Sequence, residues 1–127
     1  MHDSKPQPTP MASTTRLTNH GSTLFDNPKL YRSVVGALQY ACLTRPELAF
    51  SVNKASQFMH SPLIEHWQAV KRILRYLQGT SHFGLHLKKS SSLPRLSAMC
   101  DADWAADLVD RRSTSGFCVY YGPNLIS

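Results

Sequence analysis

The chain has 127 residues and a formal net charge of +6, with 14 lysines and arginines against 8 aspartates and glutamates. This length is enough for one small domain or two incomplete pieces. Hydrophobic residues make up 42% of the chain, so a core is possible. No apolar run reaches the roughly 20 residues of a membrane helix, and no secretory signal opens the chain. We therefore expect an intracellular protein of unassigned compartment that does not enter a membrane. The charge favours a polyanionic partner, although an ordinary basic domain fits the composition equally well.

Cysteine and histidine patterns give no metal or disulfide framework. The three cysteines are an odd number and none forms a C-x-x-C pair, so a reducing compartment is the default. His82 and His86 are four residues apart, but they lie in a segment that we expect to be extended, and no third ligand is near. A zinc site is therefore not expected.

The first 23 residues predict a flexible tail or linker. They are rich in proline, serine and threonine, and such a composition buries too little apolar surface to offset the entropy of ordering. We assign residues 1–23 to this tail and place the first domain boundary after residue 23.

A first helix is predicted from Asn27-Pro28 onward. Asparagine is a good N-cap and proline suits the first helical position. Apolar residues then recur at helical spacing: Leu30, Tyr31, Val34, Leu38, Ala41 and Cys42. Gly36 interrupts the stripe, and we expect a neighbouring element to pack closely there.

A second helix is predicted after Pro46. Thr44 and Glu47 have the spacing of a capping box. The apolar residues of this helix are Leu48, Val52, Ala55 and Met59.

The third helix has the clearest pattern. It follows Ser61-Pro62 and should end at Gly79, a common helix stop. Its apolar face consists of Trp67, Val70, Ile73, Leu74 and Leu77. Its other face has Lys71, Arg72 and Arg75, which either contact a nucleic-acid backbone or form an ordinary solvated surface.

After Gly79 the apolar period changes to two, which is typical of strands. We predict strands over residues 83–88, 96–100 and 116–121, and a further one that starts at Leu125. The fold class is therefore α+β, with a three-helix segment over residues 24–82 and an incomplete antiparallel sheet over residues 83–127.

An acidic run follows the second predicted strand. It contains Asp101, Asp103, Asp107 and Asp110. Carboxylates at this density either hold a divalent metal or decorate a polar loop, and the spacing alone leaves both interpretations open.

Six segments together resemble the Pol polyprotein of copia-type LTR retrotransposons, with plant elements as the most similar. They cover residues 31–40, 44–47, 56–59, 66–80, 101–105 and 110–116, in the order and spacing of that family. They include Tyr-Arg-Ser-Val-Val-Gly-Ala-Leu-Gln-Tyr, Thr-Arg-Pro-Glu and Asp-Ala-Asp-Trp-Ala.

The resemblance implies that the helices belong to the reverse transcriptase thumb or connection region and that the strands open a ribonuclease H domain. It makes Asp101 the match to the family's first ribonuclease H metal ligand, with Asp103 two residues further on. In the parent polyprotein the metal is Mg²⁺ and the partner is an RNA–DNA hybrid or duplex. The polymerase signature and the later carboxylates of the family are missing from this sequence.

Three functions follow from these observations. We expect an inactive piece of a reverse transcriptase and ribonuclease H polyprotein, which holds no cofactor by itself and needs the rest of Pol for a complete fold. The alternatives are a non-catalytic nucleic-acid-binding module that uses Lys71, Arg72 and Arg75, or the product of a pseudogene relic with no selected role.

Overall fold

The computed structural model describes residues 5–90, 93–103 and 113–127, without the side chains of Asp103 and Thr114. The chain divides into two compact units, Met1–Gly84 and Leu85–Ser127. The first contains the helices and the second contains the sheet, which confirms the α+β class.

Helix α1 spans Pro28–Ala41. It begins where the sequence predicts, because the Oδ1 atom of Asn27 accepts a hydrogen bond of 2.9 Å from the backbone N–H of Leu30. The expectation for Gly36 is wrong. Gly36 is exposed, and a Cβ atom built on it would meet nothing within 4 Å.

The second helical segment is a 3₁₀ helix over Pro46–Leu48 followed by helix α2 over Ala49–Ser56. The predicted capping box does not form. The hydroxyl of Thr44 donates instead to the carbonyl of Ala41 at 3.3 Å, and the carboxylate of Glu47 pairs with Arg45. The reason is that Arg45 takes the cap position ahead of the 3₁₀ turn, which leaves Thr44 one residue too early to cap it.

Helix α3 spans Ile64–Gly79 and ends at the predicted glycine. Its first turn is closed by His66, whose Nδ1 atom accepts a 3.0 Å hydrogen bond from the backbone N–H of Leu63. A side chain thus satisfies one of the N–H groups that every helix start leaves unpaired.

The core of the first unit is formed by side chains of all three helices and the 3₁₀ turn. Its buried members are Tyr31, Val35, Leu38, Leu48, Val52, Ala55, Val70, Ile73 and Tyr76. Burial of one of its valine, leucine or isoleucine side chains contributes about 1.5–3 kcal/mol. The hydroxyl of Tyr31 donates a 2.8 Å hydrogen bond to the carbonyl of Ala55, and burial raises the pKa of this hydroxyl.

The second unit is an antiparallel sheet in the order β1-β2-β3, with β1 at Leu96–Asp103, β2 at Thr114–Tyr121 and β3 at Asn124–Leu125. Leu96 lies opposite Tyr121, and Cys100 lies opposite Phe117. Gly122 supplies the positive φ of 58° in the turn between β2 and β3. The strands predicted over residues 96–100 and 116–121 and from Leu125 are confirmed.

The strand predicted over residues 83–88 is wrong, because the described residues there are not in a strand. The backbone of Lys88 is held by a side chain instead. Its N–H donates to Oδ1 of Asn124 at 2.6 Å, and its carbonyl accepts from Nδ2 of Asn124 at 2.9 Å. Alternating hydrophobicity makes a segment compatible with a sheet, but a strand also needs a neighbour to pair with.

In the part of the chain that the structure describes, no helix is long and apolar enough to cross a membrane.

Candidate nucleic-acid and metal-binding residues

Asp101 lies near the end of β1 and is exposed. It pairs with Gly116 across the ladder, and its Oδ1 atom accepts a 2.9 Å hydrogen bond from the backbone N–H of Ala102. The strand continues through Asp103. Because the side-chain period of a strand is two, positions 101 and 103 fall on the same face of β1.

The described side chains do not make a metal site around Asp101. Among the described residues, no three histidine, cysteine or acidic side chains come together. His82 and His86 are among these described residues. Asp107 and Asp110 lie outside the described residues. Mg²⁺ takes near-octahedral oxygen coordination and is bound through carboxylates together with water or substrate oxygens. Asp101 is the one described carboxylate at this end of β1, and a single carboxylate does not complete the coordination of such an ion.

The three basic residues predicted to bind nucleic acid lie on α3 in different environments. Lys71 is exposed, whereas Arg72 and Arg75 are half-buried. The Nη2 atom of Arg72 donates a 2.9 Å hydrogen bond to the hydroxyl of Thr9. The Nε atoms of both arginines are buried without a hydrogen-bond partner among the described residues. The basic surface of α3 is therefore only partly open to a ligand.

Arg45 is a buried arginine whose contacts the sequence did not predict. It is 7% exposed. Its Nε atom donates to Glu47 at 2.6 Å, and its Nη1 and Nη2 atoms donate to the carbonyl and hydroxyl oxygens of Thr80 at 3.0 and 2.7 Å. Its guanidinium carbon also lies 5.7 Å from the ring centroid of Tyr76 and 5.8 Å from that of Phe83.

These contacts give Arg45 a structural role. It joins the start of the second helical segment to the residue that follows α3, and it satisfies the carbonyl of Thr80. Arginine suits this position because its planar group donates in several directions while it stacks on aromatic rings. The motif Thr-Arg-Pro-Glu drew attention to this position, but nothing local in the sequence indicates Thr80 as the partner.

His66 is a second buried polar residue that the sequence did not single out. Its side chain is fully buried, and its ring stacks on Phe58 with the centroids 3.8 Å apart. Its Nε2 atom lies 3.0 Å from the carbonyl oxygen of Thr18. Since Nδ1 accepts from Leu63, the neutral ring with its proton on Nε2 satisfies both contacts.

Burial lowers the pKa of His66, and the Thr18 carbonyl and the charge of Glu65 oppose this change. A proton on Nδ1 would remove the acceptor for the Leu63 N–H. The neutral form is therefore the one that the fold requires.

Comparison with known proteins places the whole chain among retrotransposon sequences. It is 50% identical over 127 residues to the retrovirus-related Pol polyprotein from transposon RE2 of Arabidopsis thaliana, a match that covers 100% of this chain and 9% of that protein. It is 38% identical over 134 residues to the Pol polyprotein from transposon TNT 1-94 of Nicotiana tabacum, of which it covers 10%. It is also 44% identical to the uncharacterized mitochondrial protein AtMg00810 of Arabidopsis thaliana and covers 52% of it.

The class of protein that the chain matches over its whole length is therefore the retrovirus-related Pol polyprotein. The chain belongs to the Pol polyprotein family of plant retrotransposons, which confirms that part of the expectation from the sequence motifs. It spans about a tenth of the length of the Pol polyproteins that it matches. No protein-family profile and no solved structure matches it.

Proposed function

We propose that this chain is the part of a copia-type Pol polyprotein in which the last helices of the reverse transcriptase lead into the first strands of ribonuclease H. The observation that carries this proposal is the exposed Asp101 near the end of β1, in a sheet that follows a helical unit. The family membership of the whole chain supports it, since the match runs through both units.

In this proposal Asp101 supplies one carboxylate to a ribonuclease H centre, and Asp103 is the candidate for a second. These residues would help to hold Mg²⁺ in the parent enzyme, where the ion would supply activation of water and stabilisation of the leaving oxygen. The remaining ligands come from other parts of the polyprotein. The chain on its own is expected to cleave no RNA–DNA hybrid, because Asp101 and Asp103 alone do not complete the coordination of Mg²⁺.

The helical unit contributes phosphate contacts in the same proposal. Lys71 is exposed on α3, and Arg72 and Arg75 lie on neighbouring turns of that helix. Such contacts position a duplex without reading its sequence, and they weaken as salt rises.

A graft tests the ribonuclease H assignment. The 127 residues replace the matching segment of a Pol polyprotein that cleaves RNA–DNA hybrids, and cleavage is measured with Mg²⁺. The graft should cleave, and Asp101→Asn should abolish cleavage while leaving the thermal unfolding of the graft unchanged, because it removes one negative charge from an exposed position.

Asp26→Asn is the matched control, since Asp26 is an exposed carboxylate in the first unit. It should cleave like the unsubstituted graft. Full cleavage by the Asp101→Asn graft would contradict the assignment of Asp101. Hybrid cleavage by the isolated chain that depends on Asp101 would contradict its expected inactivity.

A further inference from the structure

The N-terminal residues lie along α3 in a regular order. Pro6 contacts the C-terminal end of the helix, because a Cβ atom built on Gly79 would lie 2.6 Å from the Cβ of Pro6. Thr9 accepts the hydrogen bond of Arg72, in the middle of the helix. The carbonyl of Thr18 contacts His66 in the first turn. As the residue number rises along this segment, its partner moves toward the start of α3.

Residues 6–18, called here the strap, therefore run antiparallel to the helix over the distance from His66 to Gly79, which is roughly 20 Å at the α-helical rise. The strap has neither helix nor strand. A turn closed by a 3.0 Å hydrogen bond from the N–H of Thr15 to the carbonyl of Ala12 shortens it to this length.

The strap is held by an apolar anchor near its end. Leu17 is 7% exposed and packs with Phe58 and Ala69, and Met11 packs against the same cluster. This cluster is separate from the main core of the first unit. The Leu17 end of the strap thus packs on Ala69 and the Pro6 end lies against Gly79. Because these two helix residues have little or no side chain, the strap can approach the helix closely.

Arg72 is the residue that the strap shares with the basic surface of α3. Its guanidinium donates to a neutral hydroxyl on the strap instead of a carboxylate, so its positive charge is not neutralised by this contact. The same guanidinium is one of the three cations expected to contact phosphates. While this hydrogen bond is made, the N–H of Arg72 Nη2 that donates to Thr9 is not available to a phosphate.

We propose that the strap is an autoinhibitory contact, which lowers the affinity of α3 for duplex nucleic acid by occupying Arg72. This inference rests on the phosphate contacts of α3 proposed above. Release of the strap exposes Arg72 beside Arg75, and a duplex then gains one cation contact. Because the duplex binds the released state better, it shifts the chain toward that state.

Two pairs of full-length variants test this. Leu17→Asp places a charge in the apolar anchor and should release the strap, and Leu43→Asp makes the same change at a residue that is 69% exposed. Thr9→Val removes only the acceptor of Arg72, and Thr14→Val makes the same change at another exposed threonine of the strap. Thr9 is exposed, so this variant keeps the fold even if Leu17→Asp does not.

Release of the strap is measured by the rate of tryptic cleavage after Arg16, an exposed residue of the strap. Each rate is divided by that of a short peptide with the same sequence around Arg16, because an aspartate at position 17 slows trypsin at this bond by itself. A protease needs a locally opened chain, so the rate reports the opening of this segment. This ratio should be higher for Leu17→Asp than for both the unsubstituted chain and Leu43→Asp. Equal ratios in the three proteins would overturn the docking of the strap.

Duplex binding is measured with a short RNA–DNA hybrid over a range of salt concentrations. Thr9→Val and Leu17→Asp should bind more tightly than their controls. Their salt dependence should be steeper by about 0.9 in log affinity per log salt, the increment for one further phosphate contact. Adding Arg72→Gln to either variant should cancel the gain.

The outcomes separate the two ideas. If the strap opens and the unsubstituted chain binds the hybrid, but neither variant binds it more tightly, the autoinhibitory role is wrong and the phosphate contacts of α3 stand. If no protein of the set binds the hybrid at low salt, the phosphate contacts and the inhibition are both contradicted. The assignment of Asp101, which the graft tests through cleavage, is unaffected by either result.

Discussion

The helical unit and the sheet differ in what they bury. Every hydrophobic side chain that is buried in the described residues lies in the first unit, between Leu17 and Tyr76. In the sheet, Leu96 is 70% exposed, Met99 61% and Phe117 66%. The helices have a core of their own, whereas the described strands have backbone pairing without one.

This difference matters for stability and for function. Hydrophobic burial is the main favourable contribution to folding, and a small sheet with an open edge is a site for further pairing. In the proposed function the sheet is the opening part of a larger ribonuclease H domain, and its apolar side chains become buried in that domain.

The largest expected effect comes from a core substitution in the helical unit. Ile73→Ala removes a fully buried side chain of α3 and should lower the free energy of unfolding by about 2–5 kcal/mol. Phe117→Ala removes a larger side chain from the sheet and should change it by no more than about 0.5 kcal/mol, because that ring is largely solvated. Urea unfolding of both variants, followed by circular dichroism at wavelengths that report the helices and the strands, compares them. Equal losses would remove the contrast between the units.

Arg45→Met should have the next largest effect. It removes the hydrogen bonds to Glu47 and Thr80 from a charged group, which should lower the free energy of unfolding by about 1.5–3 kcal/mol. Arg95→Met makes the same change at an exposed position of the sheet unit and serves as the control. Urea unfolding at constant pH measures both. If the two variants unfold alike, Arg45 does not join the helices as described.

The sequence predicted best the features that are decided by neighbouring residues. Asn27-Pro28 located the start of α1, and the apolar period located α3 and its end at Gly79. The contacts of Arg45 and His66 were missed because their partners, Thr80 and Thr18, are distant in the chain.

Two of the errors have the same physical origin. Gly36 suggested close packing, and the alternation of residues 83–88 suggested a strand, but each depends on what the rest of the fold places alongside. The family and the possible role of Asp101 came from the motifs. The ligand set around Asp101 could not be predicted, since it depends on residues far apart in the fold.

The free energy of unfolding of the helical unit should depend on pH through the protonation of His66. Burial lowers the pKa of His66, so the folded chain binds this proton more weakly than the unfolded chain, whose histidines have a pKa near 6.5. The free energy of unfolding is therefore retained above about pH 6.5 and falls as the pH falls below it, until the lowered pKa is passed. Urea unfolding between pH 7.5 and 5 measures this decline.

Two histidine substitutions assign the decline to one residue. His66→Gln should flatten it, although the variant is less stable at neutral pH. His60→Gln, at an exposed position, should keep the decline of the unsubstituted chain. If His66→Gln leaves the pH dependence unchanged, another group is responsible for it.

The smallest expected change in the free energy of unfolding comes from replacing the helical glycines Gly36 and Gly79 by alanine. Gly36→Ala should raise the free energy of unfolding by about 0.5–1 kcal/mol, because an added methyl meets open space and alanine favours the helix. Gly79→Ala should gain less, because its methyl displaces Pro6. Thermal unfolding of the two variants compares them. An equal gain would show that Pro6 does not rest on Gly79.

Amide hydrogen exchange tests the central claim most directly, that the helices form a complete core and the sheet is part of a larger domain. In the isolated chain, the amides of α1 and α3 should exchange much more slowly than those of β1 and β2. In the graft into an active Pol polyprotein, the strand amides should become protected while the helix amides change little. Strand amides as protected as those of α3 in the isolated chain, with no further gain in the graft, would contradict the account.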